Sequence, residues 1–489
     1  MILAIDQGTT GTTCLVLDEA GRVAGRGYRE IAQHYPQPGW VEHEPDEIWR
    51  SVLDVGAAAL RDAGVEARQL QAIGIANQRE TVVAWDRNGG RPVGRAIVWQ
   101  DRRTAARCDE LREQGYEPLV RERTGLLLDP YFSGTKLEWL FRDGGVPRSA
   151  AVGTVDSWLA FKLTGEHVTD PSNASRTLLY DLRRRGWDEE LCALLGVPGG
   201  ALPRIVPTAG VIGRTTALGG SVPVAAIVGD QQAALFGQRC TESSTAKCTY
   251  GTGNFLLRTM GEAEPAPVDG LLTTVAWEVG DRFEYALEAS MFVTGAAVQW
   301  LRDGLGIVRT ADETERLAAS LESNDGVYFV PALTGLGSPH WDPYARGTVV
   351  GLTRGTGRAH LARAALEAIA YQTADAVRAQ DAVVSQPLTE LRADGGATAN
   401  AWLMQFQADL LGIPVAVAPI GESTALGAAF LAGIAVGSWT ENDLVDLSAE
   451  PRRYEPRPDA DPGPLLAGWR RAVDRARSWG VDAPVQPLT

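Results

Sequence analysis

The chain opens with short apolar segments that are separated by polar turns rich in glycine and threonine. Met1–Ile5 is apolar, the polar sequence DQGTTGTT follows, and the apolar run CLVLD leads to a second turn at Glu19–Gly21. This alternation predicts a β-hairpin followed by a third strand. The sequence TAKCTYGTGNFLL has the same order of strand, turn and strand around Gly251–Gly253. The similarity predicts two related hairpins, one in each domain of a duplicated fold.

Apolar residues at helical spacing alternate with strand-like segments in both halves of the chain. The helices predicted from this spacing are Glu47–Ala63, His360–Ala382, Asn400–Leu411 and Leu465–Trp479. The apolar stretch Ala425–Trp439 is short for a membrane span and rich in glycine and alanine, so we expect a packed interior helix there. Strands and helices that alternate throughout the chain predict an α/β protein built in layers.

The length of the chain indicates how many domains it forms. A chain of 489 residues is too long for one compact core and fits two large domains. We place the boundary near Gly237–Thr241, between a strand-rich segment and the second hairpin, which predicts domains 1–238 and 239–489. Hydrophobic residues make up 45% and charged residues 22%, which is typical of an ordinary globular protein.

Charge and cysteine usage exclude several classes of protein. The formal net charge of −15 argues against nucleic acid or an anionic membrane as the main partner. It does not argue against a nucleotide, because local dipoles and one metal ion can dominate a cleft. The five cysteines include no CxxC pair, so zinc and redox motifs have no support, and their odd number favours free thiols in a reducing cytosol. The first residues contain no basic leader, so we expect a cytoplasmic protein without membrane insertion.

Candidate chemistry lies in polar turns that follow apolar strands. Asp6 ends the first strand, and the small residues and threonine hydroxyls after it offer donors to an anion. Asp6 is also placed to hold Mg²⁺ through water. A plain hairpin turn explains this segment equally well when the segment is considered alone.

A second polar turn follows the apolar strand Val222–Val228. It begins with Asp230 and Gln231, which should therefore face a cleft at the end of that strand. A carboxylate in this position can accept the proton of a hydroxyl group as its oxygen attacks phosphorus. The alternative is that Asp230 only caps the helix that follows it.

Two other turns have features of binding sites. Gly395 and Gly396, followed by Asn400, would let a purine or its ribose lie against the main chain, although a turn that requires glycine explains them equally well. Arg79 and Glu80 stand in a polar stretch between two apolar strands and form a donor–acceptor pair suited to vicinal hydroxyls. A simple turn is the alternative here too.

Three aromatic residues could complete a polyol pocket. Trp99, Tyr131 and Phe255 could supply an apolar wall for the C–H face of a polyol, although aromatic residues are more often part of a core. Other chemistries lack their motifs: the sequence contains no GxxxxGK[ST] loop and no His-Arg-Asp triplet, and His43-Glu44 lacks the second histidine of HExxH.

Eleven collinear segments resemble the glycerol kinases, a branch of the sugar kinases with the actin/hexokinase-like fold. They run from about residue 2 to about residue 437 and include DQGTTGTT, GIANQRET, GLLLDPYFSGTKLEWL, GDQQAALFGQ, TYGTGNFLL and DGGATANAWLMQFQADLLG. QRET, DPYFSGTK and GDQQAALFG are more similar to glycerol kinases than to pentose kinases. The resemblance implies two ribonuclease H-like domains that flank a central cleft, and transfer of the γ-phosphate of MgATP to glycerol.

The resemblance also implies a role for each matching residue. Asp230 would be the general base, and Asp6 would anchor Mg²⁺ through water. The polyol contacts would be Arg79, Glu80, Trp99, Tyr131, Asp230, Gln231 and Phe255. The ATP contacts would be Thr9, Thr10, Gly11, Thr252, Gly253, Gly295, Gln299, Gly396 and Asn400. Closure of the two domains over the cleft would exclude water from the reaction.

The sequence departs from the family pattern at two places. Thr13 stands where many members have arginine, so we expect weaker ATP binding or a compensating cation elsewhere. The segment 213–224 lacks the glycine-rich run that resembles a fructose-1,6-bisphosphate site, and the histidine phosphorylated by the sugar-transport phosphocarrier in other members, so we expect neither form of regulation. The resemblance also implies a homodimer or homotetramer. A kinase of another polyol or ketose, and a nucleotide-binding regulator without catalysis, remain the alternatives.

Overall fold

The computed structural model describes residues 1–263, 266–419, 421–444 and 450–480. The strands up to residue 229 are β1 (Ile2–Gln7), β2 (Gly11–Leu17), β3 (Val23–Glu30), β4 (Glu42–His43), β5 (Ala72–Asn77), β6 (Val82–Trp85), β7 (Ala96–Ile97), β8 (Ala151–Thr154), β9 (Val168–Thr169), β10 (Tyr180–Asp181), β11 (Gly186–Trp187), β12 (Arg204–Ile205), β13 (Ala209–Thr215) and β14 (Val222–Gly229). The later strands are β15 (Thr245–Tyr250), β16 (Asn254–Gly261), β17 (Leu272–Val279), β18 (Arg282–Met291), β19 (Tyr328–Val330), β20 (Thr348–Val350), β21 (Glu390–Asp394), β22 (Val415–Val417) and β23 (Arg452–Tyr454).

The α-helices of the described residues lie between these strands. They are α1 (Pro45–Ala63), α2 (Ala105–Glu113), α3 (Glu117–Thr124), α4 (Ser133–Arg142), α5 (Val155–Thr164), α6 (Pro171–Ala174), α7 (Glu189–Leu194), α8 (Asp230–Gly237), α9 (Gly295–Gln299), α10 (Glu313–Ala319), α11 (Arg358–Asp381), α12 (Ala401–Leu411), α13 (Ser423–Ala435) and α14 (Pro462–Ala476).

Thirteen strands form one mixed sheet in the order β23-β22-β21-β15-β16-β18-β17-β13-β14-β5-β1-β2-β3. The two halves of the chain repeat one local arrangement, because β1 is antiparallel to β2 and parallel to β5, and β15 is antiparallel to β16 and parallel to β21. The halves join where Ala209 of β13 pairs with Val279 of β17. The predicted α/β class and the two predicted hairpins are confirmed.

The central strands are buried on both faces. Every residue of β5 and β14 is buried, which explains why these segments read as continuous apolar runs. Side chains of α1 and α5 pack against one face of these strands, and side chains of α13 pack against the other. The polar turns that follow the strands are therefore held at the edge of a rigid core.

Close packing explains the small residues of α13. A Cβ atom at Gly427 would overlap the carbonyl oxygen of Ala233 in α8, and one at Gly74 would overlap the carbonyl of Ala428. Glycine at these positions lets α13 touch the backbone of α8 and of β5. The predicted interior helix is thus confirmed, although it ends at Ala435 rather than Trp439, whose ring packs over Gly433 instead.

The other predicted helices are confirmed with shifted ends. Pro45 begins α1 two residues before the predicted start, as expected of proline in a first turn. Asn400 caps α12, because its side chain accepts the N–H of Leu403 at 2.9 Å. The C-terminal helix α14 begins at Pro462 and ends at Ala476, three residues earlier at each end than predicted.

The cysteines and the apolar helices bear on two expectations from composition. All five cysteines are free and buried, as predicted. Among the described residues, no helix combines the length and the apolar character that crossing a membrane requires.

Candidate active site

Three parallel strands bring three polar turns to one edge of the sheet. The pairing of β1, β5 and β14 sets Gln7 and Gly229 on either side of Asn77. Asp6 and Asp230 therefore lie at the carboxyl ends of the two strands that flank β5, although 224 positions in the sequence separate them. In an open α/β sheet this edge is where ligands bind.

Asp230 is the first residue of α8 and does not serve as its cap. Gly229 occupies the cap position, and the Asp230 carboxylate accepts the N–H of the adjacent Gln231 at 2.7 Å. Its side chain is 26% exposed and lies 3.3 Å from Nε of Arg79. Burial raises the pKa of Asp230, whereas Arg79 and Lys247 lower it. The arrangement gives a carboxylate that is accessible, paired and suited to accept a proton.

Arg79 and Glu80 follow β5 and are almost completely buried. Glu80 has a left-handed backbone with φ of 61°, an uncommon conformation for a residue other than glycine that occurs at functional sites. Arg79 donates to Glu288 at 2.5 and 3.1 Å and to the hydroxyl of Tyr131 at 3.3 Å. Burial alone would lower the pKa of Arg79, but the carboxylates around it raise it well above its ordinary value. Arg79 is thus a fixed cation.

Sequence reasoning missed the other two members of this cluster. Arg176 donates to Glu80 at 2.7 Å and to Glu288 at 3.0 Å, and both Arg176 and Glu288 are fully buried. Their signal in the sequence is weak, since each is a single charge in an otherwise ordinary segment. The charge itself was the available clue, because a buried arginine or glutamate is rare unless it is paired.

The three predicted aromatic residues meet above this cluster. The ring of Trp99 lies 5.6 Å from that of Tyr131 and 6.4 Å from that of Phe255, in edge-to-face geometry. The indole N–H of Trp99 donates to the hydroxyl of Thr9 at 2.8 Å. The predicted apolar wall is therefore in direct contact with the first hairpin.

Gln231 is held by a buried lysine that sequence reasoning also missed. Lys247 of β15 donates to the side-chain oxygen of Gln231 and, at 2.7 Å, to the hydroxyl of Thr249. Burial lowers the pKa of Lys247. The lysine comes from the second half of the chain and Gln231 from the first, so this contact joins the two halves.

The first hairpin turns tightly between β1 and β2. The N–H of Gly8 donates to the carbonyl of Gly11 at 2.9 Å, and Thr10 at the tip is exposed. A Cβ atom at Gly11 would come within 2.6 Å of the carbonyl oxygen of Arg29. Glycine at this position is therefore required by strand packing, whereas sequence reasoning explained it by approach to an anion.

The second hairpin is built in the same way and supports the start of α9. The N–H of Gly251 donates to the carbonyl of Gly253, and the N–H of Gly295 donates to the carbonyl of Gly251, each at 3.1 Å. A Cβ atom at Gly253 would lie 2.5 Å from the carbonyl of Met291, and one at Gly295 would overlap Gly251. Thr252 at the tip is exposed.

A cavity of about 350 Å³ opens beside the second hairpin. The predicted residues that line it are Thr252, Gly295, Gln299, Gly396 and Asn400. Gly395 precedes them with φ of 92°, and a Cβ atom there would lie 2.5 Å from the carbonyl of Tyr250. Residues from three separate segments thus form one pocket, which is large enough for a nucleoside.

Comparison with known proteins identifies the family. The model of the FGGY family of carbohydrate kinases, N-terminal domain, matches residues 1–237, and that of the C-terminal domain matches residues 246–436. The chain belongs to the FGGY family of carbohydrate kinases. It is 56% identical to a glycerol kinase of Dechloromonas aromatica and 54% identical to one of Trichlorobacter lovleyi, over 98% of this chain in each case and 98% and 99% of the relatives. The resemblance to glycerol kinases is confirmed.

Solved structures of FGGY kinases share the whole fold. A Plasmodium falciparum glycerol kinase with ADP matches with a TM-score of 0.90 and 34% identity, over 97% of this chain and 98% of that one. A ligand-bound xylulose kinase of Lactobacillus acidophilus matches with a TM-score of 0.87 and 22% identity, over 97% and 96%, and shows the fold alone. The actin/hexokinase-like architecture of two domains is thereby established.

Asp6, for which the sequence predicts a role in holding Mg²⁺, lies close to two other acidic residues. Burial and the negative charges of Asp230 and Glu422 raise the pKa of Asp6 to about 8. A divalent cation would supply the positive charge that this carboxylate needs. The described residues contain no group of three or more metal-ligating side chains.

Proposed function

We infer that this FGGY kinase is a glycerol kinase, which transfers the γ-phosphate of ATP to glycerol and releases sn-glycerol 3-phosphate and ADP. The observation that carries this inference is the position of Asp230, which lies 3.3 Å from Arg79 and close to both Lys247 and Asp6. The identity to glycerol kinases over nearly the full chain supports the same substrate.

Asp230 acts as the general base. Its carboxylate accepts the proton of a primary hydroxyl group while the oxygen attacks the γ-phosphorus, so an O–P bond forms and the bond from phosphorus to the ADP oxygen breaks. Burial raises the pKa of Asp230 and makes the carboxylate more basic, while Arg79 and Lys247 oppose this rise. The chain therefore supplies a base whose strength is set by its surroundings.

The polyol lies between the charged cluster and the aromatic wall. Arg79 and Glu80 bind neighbouring hydroxyl groups together with Gln231, and the wall of Trp99, Tyr131 and Phe255 covers the C–H face. A pocket with such a wall on one side and a fixed donor–acceptor pair on the other selects a short polyol by shape and by hydrogen bonding.

ATP binds across the two hairpins. Thr9, Thr10 and Gly11 contact its phosphates on one side, and Thr252 and Gly253 on the other. Its adenosine occupies the cavity lined by Gly295, Gln299, Gly396 and Asn400. Mg²⁺ held through water by Asp6 would neutralise phosphate charge during transfer.

We propose the following larger organisation, which rests on the resemblance to glycerol kinases. Domains 1–238 and 239–489 flank the cleft and close over it, and the enzyme works in the cytoplasm as a homodimer or homotetramer. Fructose-1,6-bisphosphate and the phosphocarrier do not regulate it. Sedimentation of the purified protein and an assay with millimolar fructose-1,6-bisphosphate test these statements.

The decisive experiment measures ADP release from MgATP in a coupled assay. The acceptors are glycerol, dihydroxyacetone, erythritol, D-xylulose and water alone, each with the wild type and with Asp230→Asn. Glycerol should be the best acceptor, and loss of the general base should lower kcat by about 10²–10⁴-fold. A better acceptor than glycerol would move the assignment to another polyol or ketose, and ATP binding without turnover would favour a regulator.

A further inference from the structure

One buried carboxylate holds together the charged cluster under the polyol pocket. Glu288 of β18 is fully buried and accepts hydrogen bonds from both terminal nitrogens of Arg79, at 2.5 and 3.1 Å. It also accepts from Arg176 and from the hydroxyl of Ser290, each at 3.0 Å. Burial alone would raise the pKa of Glu288, but the two guanidinium groups lower it to about 2, so the carboxylate is ionised.

The contact between Glu288 and Arg79 fixes the orientation of a guanidinium group. Two parallel hydrogen bonds to one carboxylate set the plane of the guanidinium as well as its position. In that plane Nε of Arg79 lies 3.3 Å from Asp230, and Nη2 lies 3.3 Å from the hydroxyl of Tyr131. Glu288 therefore determines which face Arg79 presents to the pocket.

Glu288 acts on Glu80 through a second guanidinium. Arg176 donates Nη2 to Glu288 and Nε to Glu80, at 3.0 and 2.7 Å. Its remaining nitrogen, Nη1, is buried without a hydrogen-bond partner among the described residues. Glu80 and Glu288 are thus the two carboxylates that compensate the charge of Arg176. If either is lost, Arg176 keeps a hydrogen bond to the other carboxylate alone.

The cluster also joins the two halves of the chain. Glu288 lies in the second half, whereas Arg79, Glu80 and Arg176 lie in the first. Without the charge of Glu288, two buried guanidinium groups would lie side by side with too little negative charge between them. Removing one partner of a buried ion pair leaves the other charge uncompensated, so the remaining groups would rearrange.

We propose that Glu288 is a positioning residue of the polyol site, which orients Arg79 directly and Glu80 through Arg176. The proposal rests on the proposed function, because it assigns these residues to the binding of glycerol. It predicts that the affinity for the polyol depends on a side chain that does not touch the polyol.

The test replaces Glu288 by glutamine, which keeps the shape and removes the charge. Loss of hydrogen bonds to a charged acceptor should raise KM for glycerol about 10- to 100-fold. KM for ATP should stay within about 2-fold, because the cluster does not reach the nucleotide cavity. Glu288→Asp, which keeps the charge on a shorter side chain, should recover part of the loss.

A matched control separates positioning from general stability. Glu367 of α11 is also fully buried and accepts from Arg363, Asn324 and Tyr371 at 2.7 to 2.9 Å, but it belongs to neither pocket. Glu367→Gln should lower Tm in the same way as Glu288→Gln and leave KM for glycerol unchanged.

The outcomes distinguish failure of the proposed function from failure of the positioning role of Glu288. Wild-type protein that does not phosphorylate glycerol refutes the proposed function. Wild-type turnover of glycerol, together with a folded Glu288→Gln variant whose KM for glycerol is within 2-fold of the wild-type value, overturns the positioning role. An equal rise of KM in Glu367→Gln also overturns it.

A milder variant covers the case in which Glu288→Gln does not fold. Ser290→Ala removes one neutral donor from the same carboxylate and should raise KM for glycerol about 2- to 5-fold. No change in that KM would then count against the proposal.

Discussion

The hydrogen bond from Trp99 to Thr9 connects the aromatic wall to the first hairpin, and Trp99→Phe tests the proposal that this contact couples the polyol site to the phosphate site. Phenylalanine keeps an aromatic ring beside Tyr131 and Phe255 but is smaller than the indole and lacks its N–H, and Trp187→Phe below controls for the lost ring atoms. The lost bond is 2.8 Å long and joins two half-buried side chains. A neutral hydrogen bond of this kind contributes about 0.5 to 1.5 kcal/mol, so kcat/KM for ATP should fall about 2- to 12-fold.

A double-mutant cycle makes the test specific. Thr9→Val removes the acceptor, and the double variant should be no worse than the more impaired single variant, because both changes delete the same interaction. Thr9→Ser keeps the hydroxyl and should behave like the wild type. Trp187→Phe loses an indole hydrogen bond of the same length, to Pro203, outside the site and should leave kcat/KM unchanged.

Two results would refute this reasoning. Independent, additive losses from Trp99→Phe and Thr9→Val would mean that the hydrogen bond does not couple the wall to the hairpin. An equal loss in Trp187→Phe would mean that removal of any indole donor impairs the enzyme.

Three further predictions concern the charges around the phosphates. Thr13 pairs with Asp6 across the first hairpin, so Thr13→Arg should place a cation near the phosphates and lower KM for ATP; unchanged KM and kcat would contradict this. Lys247→Met removes a charge that lowers the pKa of Asp230, so kcat should fall and the acidic limb of the pH profile of kcat/KM should move to higher pH. An acidic limb at the wild-type pH would contradict this effect of Lys247 on Asp230. The pKa of Asp6 is raised to about 8 in the folded protein, so the folded state binds this proton more tightly than the unfolded state and stability falls as pH rises from about 4 to 8. Asp6→Asn should therefore raise Tm at pH 8 and have little effect near pH 4. An equal change of Tm at pH 4 and pH 8 in thermal unfolding would show that ionisation of Asp6 does not lower the stability.

Local sequence patterns were sufficient to predict the hairpins and the segments that form the site. Polar turns after apolar strands marked Asp6, Arg79 and Asp230, because a strand end places its next residues at the sheet edge. The Gly–Thr turns and the start of α12 likewise carry their signals in neighbouring residues. These features depend on contacts between residues that are close together in the sequence.

The partners of those residues could not be predicted in the same way. Glu288 stands within a buried strand, 209 positions from Arg79, and Lys247 stands in β15, 16 positions from Gln231 and in the other half of the chain. No local pattern specifies such pairs, since they depend on the order of strands in the folded sheet. The reason for a glycine is also hard to predict from sequence, because both backbone packing and ligand approach require glycine. At Gly11 and Gly295 the structure shows close backbone packing.

The contact between α8 and α13 has a mechanical consequence. Backbone touches backbone at Ala233 and Gly427, so no flexible side chain separates α8 from α13 at this point. Asp230 begins one of these helices, and Glu288 ties the same region to the opposite half. If the two halves of the chain open and close as predicted, we expect this contact to stay fixed and the hairpin tips to move. In a kinase built in this way, Asp230 at the start of α8 would stay in place, and the hairpins would bring the phosphate groups to it.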